Sequence, residues 1–181
     1  VLARFSPVYR VLTVESPSSR WSQAMPIRRH PVAAGALAAN LRAVPVDAAL
    51  VARLRSSFER LLAHELSLGE IFYARLFKAA PPLKAMFHST PAEQSRKLMA
   101  SLETIVRNFE DPESSAALLT ELGRRHASYG VKVEHYDLVI DVMIESMEQL
   151  LGPHADQRLL DEWRMALRLI SDQMIAAAGG G

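Results

Sequence analysis

The fold is decided by residues 112–136, which read PESSAALLTELGRRHASYGVKVEHY. Leu118, Leu122 and His126 are spaced by four in this stretch, so they share one face of a predicted helix. Gly130 follows four residues after the histidine and predicts the end of that helix. A histidine on an apolar helix face is usually a core or boundary residue, and the alternative is a ligand of iron, which neutral imidazole suits.

Helical patterning continues on both sides of this stretch. From residue 46 onward apolar residues recur at intervals of three and four, and no strand-like run bounded by turn residues appears. Helices are predicted over about 46–62, 67–79, 91–108, 112–128, 132–151 and 155–178, with a short turn or helical piece at 82–87. Lengths this unequal argue against an up-down bundle of four matched helices, so the sequence predicts an all-α fold of a different packing type.

The start of the helix at 91–108 is clearly marked. Residues 90–93 read TPAE, which places a threonine at the N-cap, a proline at the first helical position and a glutamate three residues after the cap. Gln94 heads a mostly apolar stripe that continues with Leu98, and it is either a boundary residue or a side chain that reaches a ligand across a pocket. Lys97 lies beside the stripe, where it is either solvated or paired with an acidic cofactor edge.

Two aromatic residues and one histidine leave alternatives open. Tyr73 lies in an apolar helix, and a buried phenol needs a hydrogen-bond partner, which is a backbone carbonyl, solvent or a bound ligand. Phe87, taken alone, is a core aromatic. His88 could serve as a sixth iron ligand, although we assign it no site role.

The composition excludes several kinds of site. The 181 residues include no cysteine, which rules out disulfides, thiolate zinc sites, iron–sulfur clusters and covalent haem attachment through C-x-x-C-H. Any haem must therefore be held by packing and axial ligation. The net charge of +1 gives no reason to expect a nucleic-acid partner, and no apolar run is long enough to predict a membrane span. Because a chain without cysteine fits a reducing compartment, we expect a cytoplasmic protein.

Residues 1–45 differ from the rest of the chain. They contain five prolines and six arginines against one acidic residue, Glu15. We interpret them as an irregular, loosely ordered basic extension ahead of a domain at 46–178, with a glycine tail at 179–181. Three explanations stay open: a variable extension or a true start near Met25, a targeting segment, or a basic arm for a membrane surface or a partner.

Four short motifs, in this order along the chain, resemble those of bacterial single-domain globins, especially the haemoglobin domain of flavohaemoglobins. Residues 72–77 read FYARLF, residues 82–87 read PLKAMF, residues 94–98 read QSRKL, and residues 126–136 read HASYGVKVEHY. Each motif is weak alone, and the resemblance extends over about residues 46–178.

The resemblance implies a globin fold, a three-over-three helical sandwich, and one non-covalent haem b per chain. It implies that His126 is the proximal ligand of the haem iron. It places three residues on the distal, gas-binding side: Tyr73, Gln94 and Leu98. It assigns cofactor contacts to Phe87, Lys97, Val131, Tyr136 and Val139.

The function implied by the resemblance is reversible binding of O2 and of other diatomic gases such as NO and CO. Such binding would support O2 transport and delivery or NO detoxification with an external reductant. Nitric oxide dioxygenase activity with a separate reductase is therefore considered, and the enzyme assignment stays open. The alternative is a haem-based gas or redox sensor that acts through a partner protein. Either protein would be a monomer or a homodimer.

Two departures from the resembling family are visible in the sequence. Flavohaemoglobins carry FAD and NAD domains after the globin domain, and this sequence contains none, so we expect an external reductase. They also carry a glutamate late in the last helix that bonds to the network around the axial histidine. Residues 174–178 read MIAAA here, so the polarisation associated with that glutamate is not expected.

Overall fold

A computed structural model describes residues 47–64 and 67–179 of the chain. Within these ranges the regular structure is entirely helical, as the sequence predicts. The α-helices are α1 (Ala48–Leu62), α2 (Leu68–Ala79), α3 (Pro91–Arg107), α4 (Pro112–Ser128), α5 (Val133–Leu151) and α6 (Gln157–Gly179), with short 3-10 helices at Pro81–Met86 and Gly152–His154. The predicted basic extension at 1–45 lies outside the described residues. In the part that is described, no helix is both long and apolar enough to cross a membrane.

The predicted start of α3 is confirmed in detail. The Thr90 hydroxyl accepts a hydrogen bond from the backbone N–H of Glu93 at 3.3 Å, and the Glu93 carboxylate accepts one from the backbone N–H of Thr90 at 2.9 Å. The bond from the Thr90 N–H and another from the Thr90 hydroxyl, at 3.0 Å to the same carboxylate oxygen, lower the pKa of Glu93 because both favour the charged carboxylate. A second capping box, formed by Ser67 and Glu70, opens α2 in the same way.

The predicted break after α4 is also confirmed. Gly130 has a φ of +81°, which is the left-handed region that favours glycine. The Gly130 N–H donates to the Ala127 carbonyl at 2.9 Å, and the Val131 N–H donates to the His126 carbonyl at 3.0 Å. Because these bonds close the end of α4, the chain turns directly behind His126.

A large apolar core holds α1, α2, α3, α5 and α6 together. Trp163 of α6 lies in this core with 0% of its surface exposed, and its indole N–H donates to the Ser57 hydroxyl at 2.9 Å. Ser57 in turn donates to the Leu54 carbonyl, so the buried indole and hydroxyl groups are both satisfied. We call this cluster, which also includes Tyr73, the main core.

Two glycines allow pairs of helices to approach more closely than any side chain would permit. A Cβ atom built at Gly69 of α2 would lie 2.3 Å from the Ser95 hydroxyl oxygen and 2.8 Å from the Ser95 Cα in α3. A Cβ atom built at Gly123 of α4 would lie 2.3 Å from the Met174 carbonyl oxygen in α6. These two crossings fix the helices that carry Tyr73 and His126.

Gly123→Ala should destabilise the protein by about 1–3 kcal/mol, since the added methyl group meets the backbone of α6 and must push α4 away. This loss outweighs the gain of up to about 1 kcal/mol that alanine brings to a helix interior. Urea unfolding of the two proteins measures the difference.

Gly179→Ala is the matched control, because nothing lies within 4 Å of a Cβ atom built at Gly179. It should leave the free energy of unfolding unchanged or slightly raised. Equal stability of the Gly123→Ala variant and the control would contradict the close contact at Gly123.

Candidate functional site

The imidazole of His126 is held by its own helix. Its Nδ1 atom lies 2.7 Å from the carbonyl oxygen of Leu122, one helical turn earlier. A carbonyl oxygen can only accept, so Nδ1 carries the proton and donates it to this bond. In the neutral ring, Nε2 then carries the free lone pair. Metal-binding histidines are held in this way, with one ring nitrogen bonded to the protein and the other left for the metal.

Tyr136 packs beside His126. The two ring centroids are 6.3 Å apart and the rings are inclined by 30°. Tyr136 is 9% exposed, and burial raises the pKa of its phenol. It belongs to a smaller apolar cluster, which we call the second core, made of Ile105, Leu119, Tyr136 and Met174 with partly buried neighbours that include Leu122 and Val131.

Tyr73 lies in an aromatic group on α2. Its ring centroid is 5.0 Å from that of Phe72, 5.6 Å from that of Phe77 and 5.3 Å from that of Phe87. Tyr73 is 8% exposed, and burial raises its pKa to about 12. Among the residues that the structure describes, its hydroxyl has no hydrogen-bond partner. The phenol is thus a protonated donor that the described residues leave unused.

The crossing of α2 and α3 at Gly69 positions the α3 residues Gln94 and Leu98 relative to Tyr73. Tyr73 follows Gly69 by one turn, and Gln94 precedes Ser95 directly, so the Gly69–Ser95 contact sets the positions of both. Gln94 and Leu98 are half-buried, and Leu98 packs against the main core that contains Tyr73. The Ser95 hydroxyl is 2.9 Å from that of Ser67, which ties the two helices together.

The remaining predicted residues occupy three kinds of position. Phe87 and Val139 are partly buried against the main core, and Val131 is partly buried against the second core. Lys97 is exposed, and its ammonium group donates to the Ser89 hydroxyl at 2.9 Å. The structure therefore places most predicted residues on two apolar clusters and Lys97 outside them.

The turn behind His126 lies close to the segment that carries Phe87. A Cβ atom built at Gly130 would be 3.7 Å from the terminal methyl carbon of Met86, which directly precedes Phe87. This contact links the end of α4 to the short 3-10 helix after α2.

Sequence reasoning missed the Ser67–Ser95 hydroxyl pair and the helix crossing beside it. Gly69 in an otherwise well-formed helix was the available signal, because glycine weakens a helix interior unless a close contact requires it. The Leu122 carbonyl was also missed, although the spacing of four between Leu122 and His126 implies it.

These residues fit a haem on their own chemistry. His126 offers a free Nε2 lone pair, and Tyr73, a mostly buried side chain, offers an accessible hydroxyl donor without a partner among the described residues. Large apolar side chains on the main core, such as Phe87 and Leu98, are only half-buried and present surface to a flat apolar group.

The described residues define a class of protein: an all-α fold in which Nε2 of His126 is left free by the bond from Nδ1 to the Leu122 carbonyl. A model of the globin family matches residues 70–174, more than half of the chain, and the chain belongs to this family. The expected globin fold is thereby confirmed, and a globin domain implies haem binding.

Curated relatives are flavohemoproteins. The chain is 32% identical over 115 residues to one from Rhizobium meliloti and 31% identical over 123 residues to one from Chromobacterium violaceum. The alignments cover 62% and 66% of this chain but only 28% and 30% of the relatives. The chain thus spans less than a third of the length of these proteins.

Solved structures agree with the family assignment. One is an engineered carbene transferase, described as a putative nitric oxide dioxygenase from Rhodothermus marinus, with a TM-score of 0.61 and 26% identity over 68% of this chain and 86% of that one. A bacterial globin from Campylobacter jejuni matches with a TM-score of 0.63 and 23% identity over 71% of this chain and 94% of its own. The second likeness supports the fold alone.

The raised pKa of Tyr73 predicts a loss of stability at alkaline pH. The unfolded phenol ionises near pH 10 and the folded phenol near pH 12, so the unfolded state loses its proton first and is favoured as the pH rises. The phenylalanine of Tyr73→Phe cannot ionise, so this variant should lack this part of the decline in the free energy of unfolding, which amounts to about 1.4 kcal/mol by pH 11. Urea unfolding of both proteins at pH 9 and pH 11 measures it.

Tyr129→Phe is the control for this prediction, since Tyr129 is 60% exposed. Its pH dependence should match that of the wild type. If Tyr73→Phe also follows the wild type between pH 9 and pH 11, the Tyr73 phenol is not the group described.

Proposed function

We propose that this chain binds one haem b non-covalently, with Nε2 of His126 as the axial ligand, and that it takes up diatomic gases on the side of Tyr73 and Gln94. The observation that carries the proposal is the 2.7 Å bond from His126 Nδ1 to the Leu122 carbonyl, since it leaves Nε2 free to bind iron. The chain has no cysteine to anchor the macrocycle, so packing must hold it.

The packing surfaces come from the two cores. Phe87 and Val139 on the main core, and Val131 and Tyr136 on the second core, are proposed to contact the faces of the macrocycle. Lys97 is exposed beside Ser89, and we propose that it can leave this hydroxyl for an acidic edge of the cofactor, because an ammonium prefers a carboxylate to a neutral acceptor.

When bound, the haem supplies an iron centre that accepts a gas and exchanges electrons. The Tyr73 hydroxyl is proposed to donate a hydrogen bond to a gas that has gained negative charge, and the Gln94 amide to donate a second. A hydrogen bond to a charged acceptor is worth roughly 1.5–3 kcal/mol, which corresponds to roughly ten- to hundredfold slower release. CO gains little charge and should benefit less. Leu98 narrows the same region and limits the entry of water.

The bonding of His126 favours simple binding of a gas over strong chemical activation of that gas. His126 bonds to a neutral backbone carbonyl, which polarises the imidazole less than a carboxylate would. Reversible O2 binding, for delivery or for reaction with NO, is the proposed role. Turnover with NO needs an electron source, and we propose a flavin reductase because the curated relatives are flavohemoproteins. Steady NO consumption in the presence of O2 and such a reductase tests this step.

His126→Gly should weaken haem binding at least tenfold, since the only proposed bond between protein and iron is lost. Free imidazole should restore binding and the absorption spectrum of the wild type. Titration of each protein with haem measures both effects. His64→Ala is the control, because His64 lies exposed after α1, and it should bind haem like the wild type. Wild-type affinity in His126→Gly without imidazole would refute the assignment.

Tyr73→Phe should speed the release of O2 at least tenfold and change the release of CO by less than threefold. The reason is that O2 gains negative charge and accepts a strong hydrogen bond, whereas CO gains little charge. Stopped-flow displacement of each gas measures the rates. Tyr129→Phe removes an exposed hydroxyl and serves as the matched control. An O2 release rate within twofold of the wild type in Tyr73→Phe means that the phenol does not stabilise the gas.

A further inference from the structure

Four basic side chains that form no ion pair with any described residue lie between the last turn of α2 and the first turns of α3. All four are exposed: Lys78, Lys84, Arg96 and Lys97. Residues 78–97, which we call the basic segment, contain a single acidic residue, Glu93. Its carboxylate is bonded to Thr90 in the capping box. The basic segment therefore carries a net charge of +3.

The other basic residues of the described part are mostly paired. Nine of these eleven form an ion pair with a carboxylate, and the two exceptions are Arg60 and Arg124. Outside the basic segment the described residues include eleven bases and seventeen acids, so that part is acidic overall. Unpaired positive charge is thus concentrated in the basic segment, where it can attract a negatively charged surface.

The basic segment borders a side chain that is proposed to contact the haem. The Lys84 carbonyl accepts a hydrogen bond from the backbone N–H of Phe87 at 3.2 Å. Lys78 directly follows Phe77, whose ring centroid is 5.3 Å from that of Phe87. A protein that docks on these cations would therefore lie close to the proposed haem site, which is where an electron donor is needed.

We propose that the basic segment is the docking surface for the flavin reductase, and that the reductase presents an acidic face to it. The inference rests on the proposed function, in which the reduced flavin loses one electron and ferric haem iron gains it. Complexes that transfer electrons are small and weak, and opposite charges raise their rate of association. If the cofactor edge occupies Lys97, then Lys78, Lys84 and Arg96 remain for the partner.

Reduced flavodoxin, an acidic protein with one flavin, is the probe. It is mixed in a stopped-flow instrument with the full chain, loaded with ferric haem, under CO, which traps the ferrous iron. The rate is measured at ionic strengths of about 0.01 M and about 1 M, at which charges act over about 30 Å and about 3 Å. Reduced free riboflavin is the comparison, because it has the flavin ring and no protein surface.

Lys78→Glu combined with Lys84→Glu reverses two charges of the basic segment. The matched control combines Arg60→Glu with Arg124→Glu, which reverses the two unpaired charges elsewhere and changes the net charge equally. Reduction of the wild type by flavodoxin should be at least tenfold slower at high ionic strength. At low ionic strength the first variant should be at least tenfold slower than the wild type, and the control within threefold. Riboflavin should reduce all three proteins at the same rate.

A second measurement does not use the haem. A carbodiimide joins lysine side chains to carboxylates that lie against them, and mass spectrometry locates the linked lysines. Flavodoxin should become linked to Lys78 and Lys84 of the full chain and not to Lys132, an exposed lysine outside the basic segment.

Reduction by flavodoxin that is independent of ionic strength, or that both double variants slow equally, would overturn the proposal. Links at Lys132 in place of Lys78 and Lys84 would do the same. Binding to vesicles of phosphatidylglycerol without binding to flavodoxin would assign the basic segment to a lipid surface instead. Failure of the proposed function is a different result: the chain then holds no haem that riboflavin reduces and CO binds, and the cross-links still test the docking.

Discussion

The hydrogen bond from Nδ1 of His126 to the Leu122 carbonyl is the interaction on which the proposed site depends. It spans a single helical turn at 2.7 Å, so it forms wherever α4 is intact. It fixes which ring nitrogen carries the proton, and it leaves Nε2 as a free lone pair in a half-buried position. The hydrogen bonds proposed for Tyr73 and Gln94 matter only if this nitrogen binds iron, because both side chains are proposed to donate to a gas that the iron binds.

The two halves of the site are positioned by different helix pairs. α4 packs mainly against α6, and Gly123 lets the backbones touch. α2 crosses α3 at Gly69, and the Ser67–Ser95 hydroxyl pair closes that crossing. The turn at Gly130 also approaches Met86, one residue before Phe87. A change in one helix pair can therefore move one half of the proposed site while the other stays in place.

Local features of this structure follow from the sequence, and long-range ones do not. The capping box at residues 90–93 and the left-handed turn at Gly130 depend only on neighbouring residues, so the pattern TPAE and a glycine after a helix were sufficient to predict them. The spacing of four likewise predicted an apolar face on α4, and Leu118 and Leu122 on that face pack against the second core. The roles expected of the site residues came from a family resemblance, since no local rule brings Tyr73 near Phe87.

The features that escaped prediction are contacts between distant segments. Gly123 and Met174 are far apart in sequence, and the residues around each of them give no indication that the two are in contact. A cavity of about 120 Å³ between α1, α3, α4 and α6 exists only because these four helices together leave a gap. Lys97 was expected to be solvated or to lie at a cofactor edge. In the structure its ammonium group donates to the Ser89 hydroxyl, because a flexible side chain bonds to the nearest acceptor. Its cofactor role stays a prediction.

The absorption spectrum of this chain, titrated with haem beyond one equivalent, reduced and exposed to CO, tests haem binding through His126. We expect a Soret band that moves on reduction and again on CO binding, and that saturates at one haem per chain. A chain that shows no Soret band beyond that of free haem after reconstitution would contradict it.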